Sequence, residues 1–465
     1  MRPTLGLACL LALLAPAAAH GQNRAVETGA RGPHLGSAGY PGSVAGPFFA
    51  GRELVWAEVD PRRTLAVVAH GPGGRRVIDR RPYEGDEFYL DVDEGEVALA
   101  QYVRAEHYRS VLRAGPLTGP LTVVERTCAF SPLVARGALG GGCPATLLHE
   151  NAIEVHEAAG VRRYLTRSPA EAEMEGDLLG VHQESRAGRS VDLVVLRRST
   201  GEELLRVHGE TGQFDLAPDG SVAYTWAYRT RQVRTASPPR PKPRVIDNLP
   251  FAPDEVRLRG DRIAVRARET ASFNSAEGQF ISKFAVLDRR SGRVLASHSV
   301  RRTDRDWDFD GERLTWVAKP CMRSYVVTWD VDRPPPAEPA APCVHARPRG
   351  PARVDADGVL SVPLFCPPGG GECGGVVEAV VRVRDEGERP RYVHRWSVPP
   401  IIVRSPGTRW TATWRLHGRT LEAVRRARDA EVVATITRFG GTGPTATWGG
   451  SEPREHTIPL VRESA

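Results

Sequence analysis

Several familiar signatures are missing from these 465 residues, and each absence removes a class of function. Beyond the first fourteen positions no apolar run reaches the ~18 to 20 residues that a helix needs to cross a bilayer, so no transmembrane segment is expected. No C-x-x-C pair exists, which leaves zinc-ribbon and dithiol redox readings without ligands. There is no G-x-S-x-G nucleophile elbow and no phosphate-cradling G-x-x-x-x-G-K. A zinc helix of the H-E-x-x-H type fails because His149-Glu150 is followed by Ile153 where the second histidine must stand. His149 and His156 flank a short strand-like segment and read as ordinary surface or core histidines. One-sided charge is missing too: 63 basic residues face 56 acidic ones, a net +7. The paired arginines Arg62-Arg63, Arg197-Arg198, Arg289-Arg290 and Arg301-Arg302 sit beside turns as solvated faces. No basic stripe interleaved with stacking aromatics accompanies them, so no nucleic-acid partner is expected. Such mild charge leaves room only for non-specific attraction to an anionic cell-wall polymer.

What the chain does have is repetition. Val195, Leu196, Arg198, Thr200, Gly201 and Leu204 recur in register as Val286, Leu287, Arg289, Ser291, Gly292 and Leu295, each a strand, a tight glycine turn and a strand. A second unit, Phe49, Gly51, Leu54 and Trp56, is matched by Phe309, Gly311, Leu314 and Trp316 and by Leu258, Gly260, Ile263 and Val265. Looser copies sit at Gly95, Gly176 and Gly220. The glycines are spaced roughly 40 to 50 residues apart, with one double step between Gly95 and Gly176, which is the spacing of a four-stranded propeller blade. The double step predicts a degenerate unit near residues 121 to 168. The fold class is therefore all-β: a β-propeller of about seven blades over residues 46–332, followed by a small β-sandwich. One four-stranded sheet cannot bury both faces, whereas radial stacking lets sheets cover each other. Trp56, Trp226, Trp307 and Trp316 are accordingly expected between blades rather than on a ligand platform.

The N-terminus has the charge, apolar core and A-x-A order of a secretory signal: Arg2, then Leu5 to Leu14, then Ala17-Ala18-Ala19. Residues 1–19 are expected to be removed, Cys9 with them, leaving a secreted, extracellular protein with a Gly- and Pro-rich flexible lead-in at 20–45. Six cysteines remain, an even number that argues for disulfides in an exported chain. They allow ~15 pairings. Proximity favours Cys128 with Cys143, Cys321 with Cys343, and Cys366 with Cys373. A proline-dense stretch at 333–351 reads as a stiff linker. Downstream, strands are expected at Val359–Phe365, Gly375–Val383, Arg391–Val398, Arg409–Leu416, Glu431–Phe439 and Glu455–Val461, with a helical turn at Leu421–Ala427. This fits a sandwich of immunoglobulin-like type over 352–465.

The run Leu360-Ser361-Val362-Pro363-Leu364-Phe365-Cys366-Pro367, then Cys373-x-Gly375-x-Val377, then an arginine-rich turn (Arg419, Arg425, Arg426, Arg428) entering the strand Val432 to Thr437 resembles the C-terminal β-sandwich of exported proteins from high-GC Gram-positive bacteria. The blades, with Val286-Leu287-Asp288 and Ser291-Gly292, are similar to quinoprotein-like and Tol-type propellers. Lysine is present only at Lys242, Lys283 and Lys319, a bias that suits a high-GC genome. The resemblance implies scaffolded binding outside the membrane and supplies no catalytic residue. No dense cofactor ring of the quinoprotein kind is evident, and no cofactor is expected unless calcium.

Calcium enters through Asp306, Asp308, Asp310 and Gly311, a D-x-D-x-D-G run that matches the first half of a calcium loop. The twelfth loop position is Val317, where a bidentate Glu would be needed, and Trp307 and Phe309 alternate with the acids as in a half-buried strand. Asp91, Asp93 and Gly95 form a weaker echo. Two function classes follow. The first is a monomeric, exported, non-catalytic binding or scaffold protein that grips a protein, peptide or cell-wall glycan with propeller loops. The second is an extracellular enzyme, a lyase or hydrolase, with its site in the central channel. Thr270 to Gln279 and Pro238 to Pro243, longer than tight hairpins need, are the first loops expected to make contacts.

Overall fold

A computed structural model describes residues 24–31 and most of 43–462; the larger segments outside the description are 104–108, 125–129, 144–150, 185–190, 271–279, 385–390, 396–400 and 439–452. Seven four-stranded antiparallel blades form a β-propeller. Blades 1 to 5 span Val44–Pro82, Glu87–Val124, Phe130–Leu165, Ala172–Val207 and Thr211–Ile246, each a simple meander. Blades 6 and 7 are continuous because the 16-residue strand Val294–Phe309 serves both. Its first half is the outer strand of blade 6, against Phe280–Asp288, and its second half is the inner strand of blade 7, against Arg313–Ala318. The degenerate third unit has all four strands, inside the window that the double glycine step marks.

The glycine ruler has a conformational cause. Gly51, Gly95, Gly176, Gly220, Gly260 and Gly311 all sit in the turn between first and second strands, with φ between 54° and 115°. A side chain rarely tolerates that region, so glycine marks the blade phase. The hydrophobic clusters lie between blades. One joins Val55, Ala57 and Val67 of blade 1 to Phe88, Leu90 and Leu99 of blade 2, and another joins Phe284 and Val286 of blade 6 to Trp307, Trp316 and Trp329 of blade 7. Trp56, Trp307 and Trp316 are fully buried there, and Trp226 is half-buried against its own cluster.

Residues 24–31, expected as part of a loose lead-in, are instead a strand. It pairs antiparallel with Arg323–Asp330 and is the outer strand of blade 7, so the first and last strands of the propeller meet in one sheet. The Glu58 carboxylate holds it in place, accepting from Gly29 N at 2.9 Å and from Trp56 Nε1 at 2.7 Å and pairing with Arg75. Pro238 to Pro243, expected as a long loop, is also otherwise. Ser237 pairs with Arg240 across a tight turn, and Arg240–Ile246 is the outer strand of blade 5. Proline is tolerated there because an outer strand leaves one row of N–H groups unpaired.

After blade 7 the chain enters a C-terminal β unit whose two groups of strands enclose one core. Leu360, Val362 and Trp414 meet Val377, Val381, Val432 and Ile436 inside it. The strands fall at Val359–Phe365, Cys373–Arg384, Arg391–Arg395, Arg409–Arg415, Asp429–Arg438 and Pro453–Arg462, with a helix at Gly418–Arg426. Arg347–Pro348, within the stretch expected as linker, already pairs with Val359–Phe365. Among the described residues two disulfides are present, Cys321–Cys343 and Cys366–Cys373. The first ties blade 7 to the start of the C-terminal unit, where Val344 N donates to Glu372 O at 3.0 Å. The expected partner pair Cys128 and Cys143 cannot be placed, because Cys128 lies outside the described residues.

Candidate functional site: the acidic mouth of the channel

Alternation along each inner strand sends every second side chain toward the propeller axis. At the end of the axis where the ruler glycines turn, the inner strands enclose a cavity of about 430 Å³. Blades 2, 4, 5 and 7 contribute Asp91, Glu173, Asp215 and Asp308, and blade 6 alone contributes Arg257 and Arg259. Asp93, Glu175 and Asp310 line it nearer the turns. Seven carboxylates thus face two guanidiniums, and among the described residues no hydroxyl, thiol or imidazole lines the cavity.

Three of the aspartates do the same structural job. Asp91 Oδ2 accepts from Val134 N at 2.6 Å, Asp215 Oδ2 from Leu258 N at 2.5 Å, and Asp308 Oδ2 from Phe49 N at 2.8 Å. In each case a carboxylate on one inner strand grips a backbone N–H on the inner strand of the next blade. These charge-assisted bonds satisfy donors that strand pairing leaves over. Asp215 is also paired with Arg259 at 2.7 Å, while Arg257 stands 4.0 Å from Asp215 and 3.7 Å from Asp308.

The electrostatics follow from this crowding. Burial raises Glu173 to about 8, with Asp215 and Asp91 adding to the shift and Arg257 and Arg259 opposing it. Burial likewise raises Asp91 to about 6 against its backbone bonds, and it raises Asp308. Asp215 pushes Arg259 above its ordinary value. The Glu173 carboxyl makes no hydrogen bond among the described residues. Deeper along blade 6, burial works against ionised Glu255, yet Arg266, Arg268 and Arg257 hold it below the usual carboxylate range. Trp307 Nε1 donates to Glu255 at 2.5 Å.

The three aspartates of the calcium motif are separated in use. Asp306 Oδ2 accepts from Gly46 N at 2.9 Å, Asp308 clamps Phe49, and Asp310 caps its own turn through Glu312 N, Arg313 N and an ion pair with Arg313 at 2.6 Å. Among the described residues no three His, Cys, Asp or Glu side chains form a group that could hold a metal. His156 lies on the third strand-pair of blade 3, 3.8 Å from Glu154, and His149 is outside the described residues. The Thr270 to Gln279 loop is also outside them beyond Thr270. Glu173, Asp215, Arg257 and Arg259 were not singled out from the sequence. A signal was there: charged residues stand one and three places before the ruler glycine in Glu173/Glu175, Arg257/Arg259 and Asp308/Asp310.

No protein-family model matches the chain, and no curated protein matches its sequence. Solved structures similar to it include propeller domains. A prolyl endopeptidase is 13% identical with a TM-score of 0.44, covering 72% of this chain; the chain spans 55% of that protein's length. The β-propeller domain of the Trilobed protease from Pyrococcus furiosus is 12% identical with a TM-score of 0.43, covering 62% of this chain and 92% of that one. TolB from Acinetobacter baumannii is 12% identical with a TM-score of 0.37, covering 60% of this chain and 82% of that one. At such identities the likeness is one of fold.

Proposed function

We propose that this protein is an exported, non-catalytic binding propeller that takes a cationic group of a protein or peptide ligand into its acidic channel mouth. The observation that carries the proposal is the lining itself: seven carboxylates against two guanidiniums, with no hydroxyl, thiol or imidazole beside them among the described residues. A cavity with excess negative charge and low-dielectric walls concentrates cations. The ordered rows of Asp91, Asp215 and Asp308 are already committed to neighbouring strands, so they offer a rigid, pre-organised wall. Export rests on the N-terminal apolar segment and on the two disulfides, which persist in oxidising compartments. The C-terminal unit, of immunoglobulin-like type in this proposal, is a spacer or second contact.

Calorimetric titration with a tri-arginine peptide, a tri-glutamate peptide and a neutral control tests this. Binding of the arginine peptide alone, weakened by salt and by Glu175→Gln with Asp93→Asn, is expected; equal binding of the neutral peptide, or none at all, refutes it. An acid–base enzyme is the second reading, favoured by one observation: Asp91 and Glu173 titrate near 6 and 8 in a single cavity, as proton donors often do. Turnover of glycoside or peptide substrates that is abolished in Glu173→Gln would replace the binding proposal.

A further inference from the structure

In a four-stranded meander the first and third turns lie at the same end of the sheet, so the face that carries the channel mouth also carries the turns at Gly260 and at Arg289-Arg290. Between blades 5 and 6 this face has a groove of about 410 Å³, away from the axis. Lys242 and Arg244 of the outer strand of blade 5 line one side, and Arg289 and Arg290 of blade 6 line the other, against one acid of the lining, Asp261.

Two of the four cations are fixed. Arg289 Nη1 donates to Gly260 O at 3.2 Å and its Nη2 to Ser237 Oγ at 3.1 Å, while Arg244 Nη1 donates to Arg289 O at 3.1 Å. The other two, Lys242 and Arg290, are exposed and make no hydrogen bond or ion pair among the described residues. Lys242 precedes Pro243, which holds its backbone extended beside the groove. The neighbouring acids do not cancel this charge. Asp219 is 3.9 Å from Arg289 and mostly exposed, and Asp288 is engaged by the backbone and hydroxyl of Ser291.

We propose that this groove binds phosphate groups of an anionic ligand. Arg289 and Arg244, already oriented, present guanidinium donors to the phosphate oxygens, and Lys242 and Arg290 close on it as movable charges. Among the described residues no aromatic side chain lines the groove, so they offer no stacking platform for nucleic-acid bases. The site is separate from the channel and does not depend on what the channel binds.

The probe is inorganic tripolyphosphate, titrated calorimetrically into the full chain at about 50 and about 200 mM salt. Lys242→Ala with Arg290→Ala should weaken binding about tenfold, two exposed charge contacts being lost. The control removes the same charge elsewhere, Arg415→Ala with Arg419→Ala on the C-terminal unit, and should stay within about twofold because it leaves the groove intact. All three proteins keep the same melting temperature, since the replaced side chains are exposed. Failure of the wild type to bind tripolyphosphate overturns the proposal. So does equal weakening in both double variants, which would reduce the effect to net charge.

Discussion

Glu173→Gln should stabilise the protein above neutral pH and leave it unchanged in acid. The Glu173 carboxyl is raised from an ordinary value of 4.5 to about 8, so the folded chain keeps a proton that the unfolded chain has released throughout that window. Stability contributed by the group is complete below pH ~4.5 and is lost as pH rises through ~8. The full displacement corresponds to about 5 kcal/mol. Less of it is realised, because the cavity is open to water and because Arg257 and Arg259 offset part of the charge once Glu173 ionises. We expect about 2 to 3 kcal/mol. Glutamine is a close isostere of the neutral carboxyl, so wild type and variant should melt together at about pH 4, below the unfolded value. By pH 9 the variant should melt about 3 to 6 °C higher in paired scanning-fluorimetry series. Taking the difference between the two proteins at each pH cancels every other titrating group. Asp91→Asn gives an internal standard: its gain should develop lower, between about pH 4 and 6, because burial raises Asp91 only to about 6. A Glu173→Gln difference that is flat from pH 5 to 9, or that is largest at pH 5, refutes the argument that this carboxyl is buried among like charges.

Three further outcomes can be checked. Removing residues 24–31 strips the outer strand from blade 7 and leaves Glu58 without Gly29 N, so the truncated chain should melt more than about 10 °C lower and aggregate through the bared strand Arg323–Asp330; an unchanged melt by calorimetry counts against closure by this strand. Cys366→Ala with Cys373→Ala opens a short loop in the C-terminal unit and should lower that unit's stability to urea by about 2 to 3 kcal/mol, leaving the propeller transition in place; a matching loss in both transitions would show that the two units unfold together. Excess chelator should not alter the melting temperature, since Asp306, Asp308 and Asp310 each have protein partners; a fall that added calcium reverses would restore the calcium loop.

The propeller was legible because its punctuation is steric. A first turn that needs positive φ admits glycine almost alone, and six such residues kept their phase across the chain. The third unit was harder: Gly137-Ala138-Leu139 carries the same glycine-to-apolar spacing, but Gly140, Gly141 and Gly142 follow at once and blur it. In the C-terminal unit the strand Val359–Phe365 alternates cleanly, buried and half-buried, and was found with its limits. Arg347–Pro348, Ala352–Val354 and Ile401–Arg404 are too short for any period to show, and only tertiary pairing makes them strands. Residues 24–31 were missed for a related reason. Arg-Ala-Val-Glu-Thr-Gly-Ala-Arg has little β character of its own, and its partner lies some three hundred positions later.

The channel mouth shows why spacing along a chain is a poor guide to chemistry in a ring. Asp306-x-Asp308-x-Asp310 has the alternation of a calcium loop, but calcium needs a chain that curls so that oxygens converge. Here the residues lie along a strand and its turn, and the oxygens are drawn apart to Gly46, Phe49 and Arg313. The convergence happens between blades instead. Asp91, Glu173, Asp215 and Asp308 come from four separate inner strands and meet at one cavity, each standing three to five residues before its glycine turn. Concentrating charge there is costly unless it is compensated, and the compensation takes two forms: backbone N–H groups of the next blade, and the two arginines of blade 6. The Glu173 carboxyl receives neither a hydrogen bond nor a close ion pair among the described residues, so no close partner offsets its burial, which pushes it up to about 8. A cationic ligand group entering the cavity would supply that missing partner and drive the proton off, so binding at pH 7 should release close to one proton per ligand, measurable as a dependence of the calorimetric heat on buffer ionisation enthalpy. Heats that do not vary with buffer would place the ligand away from Glu173.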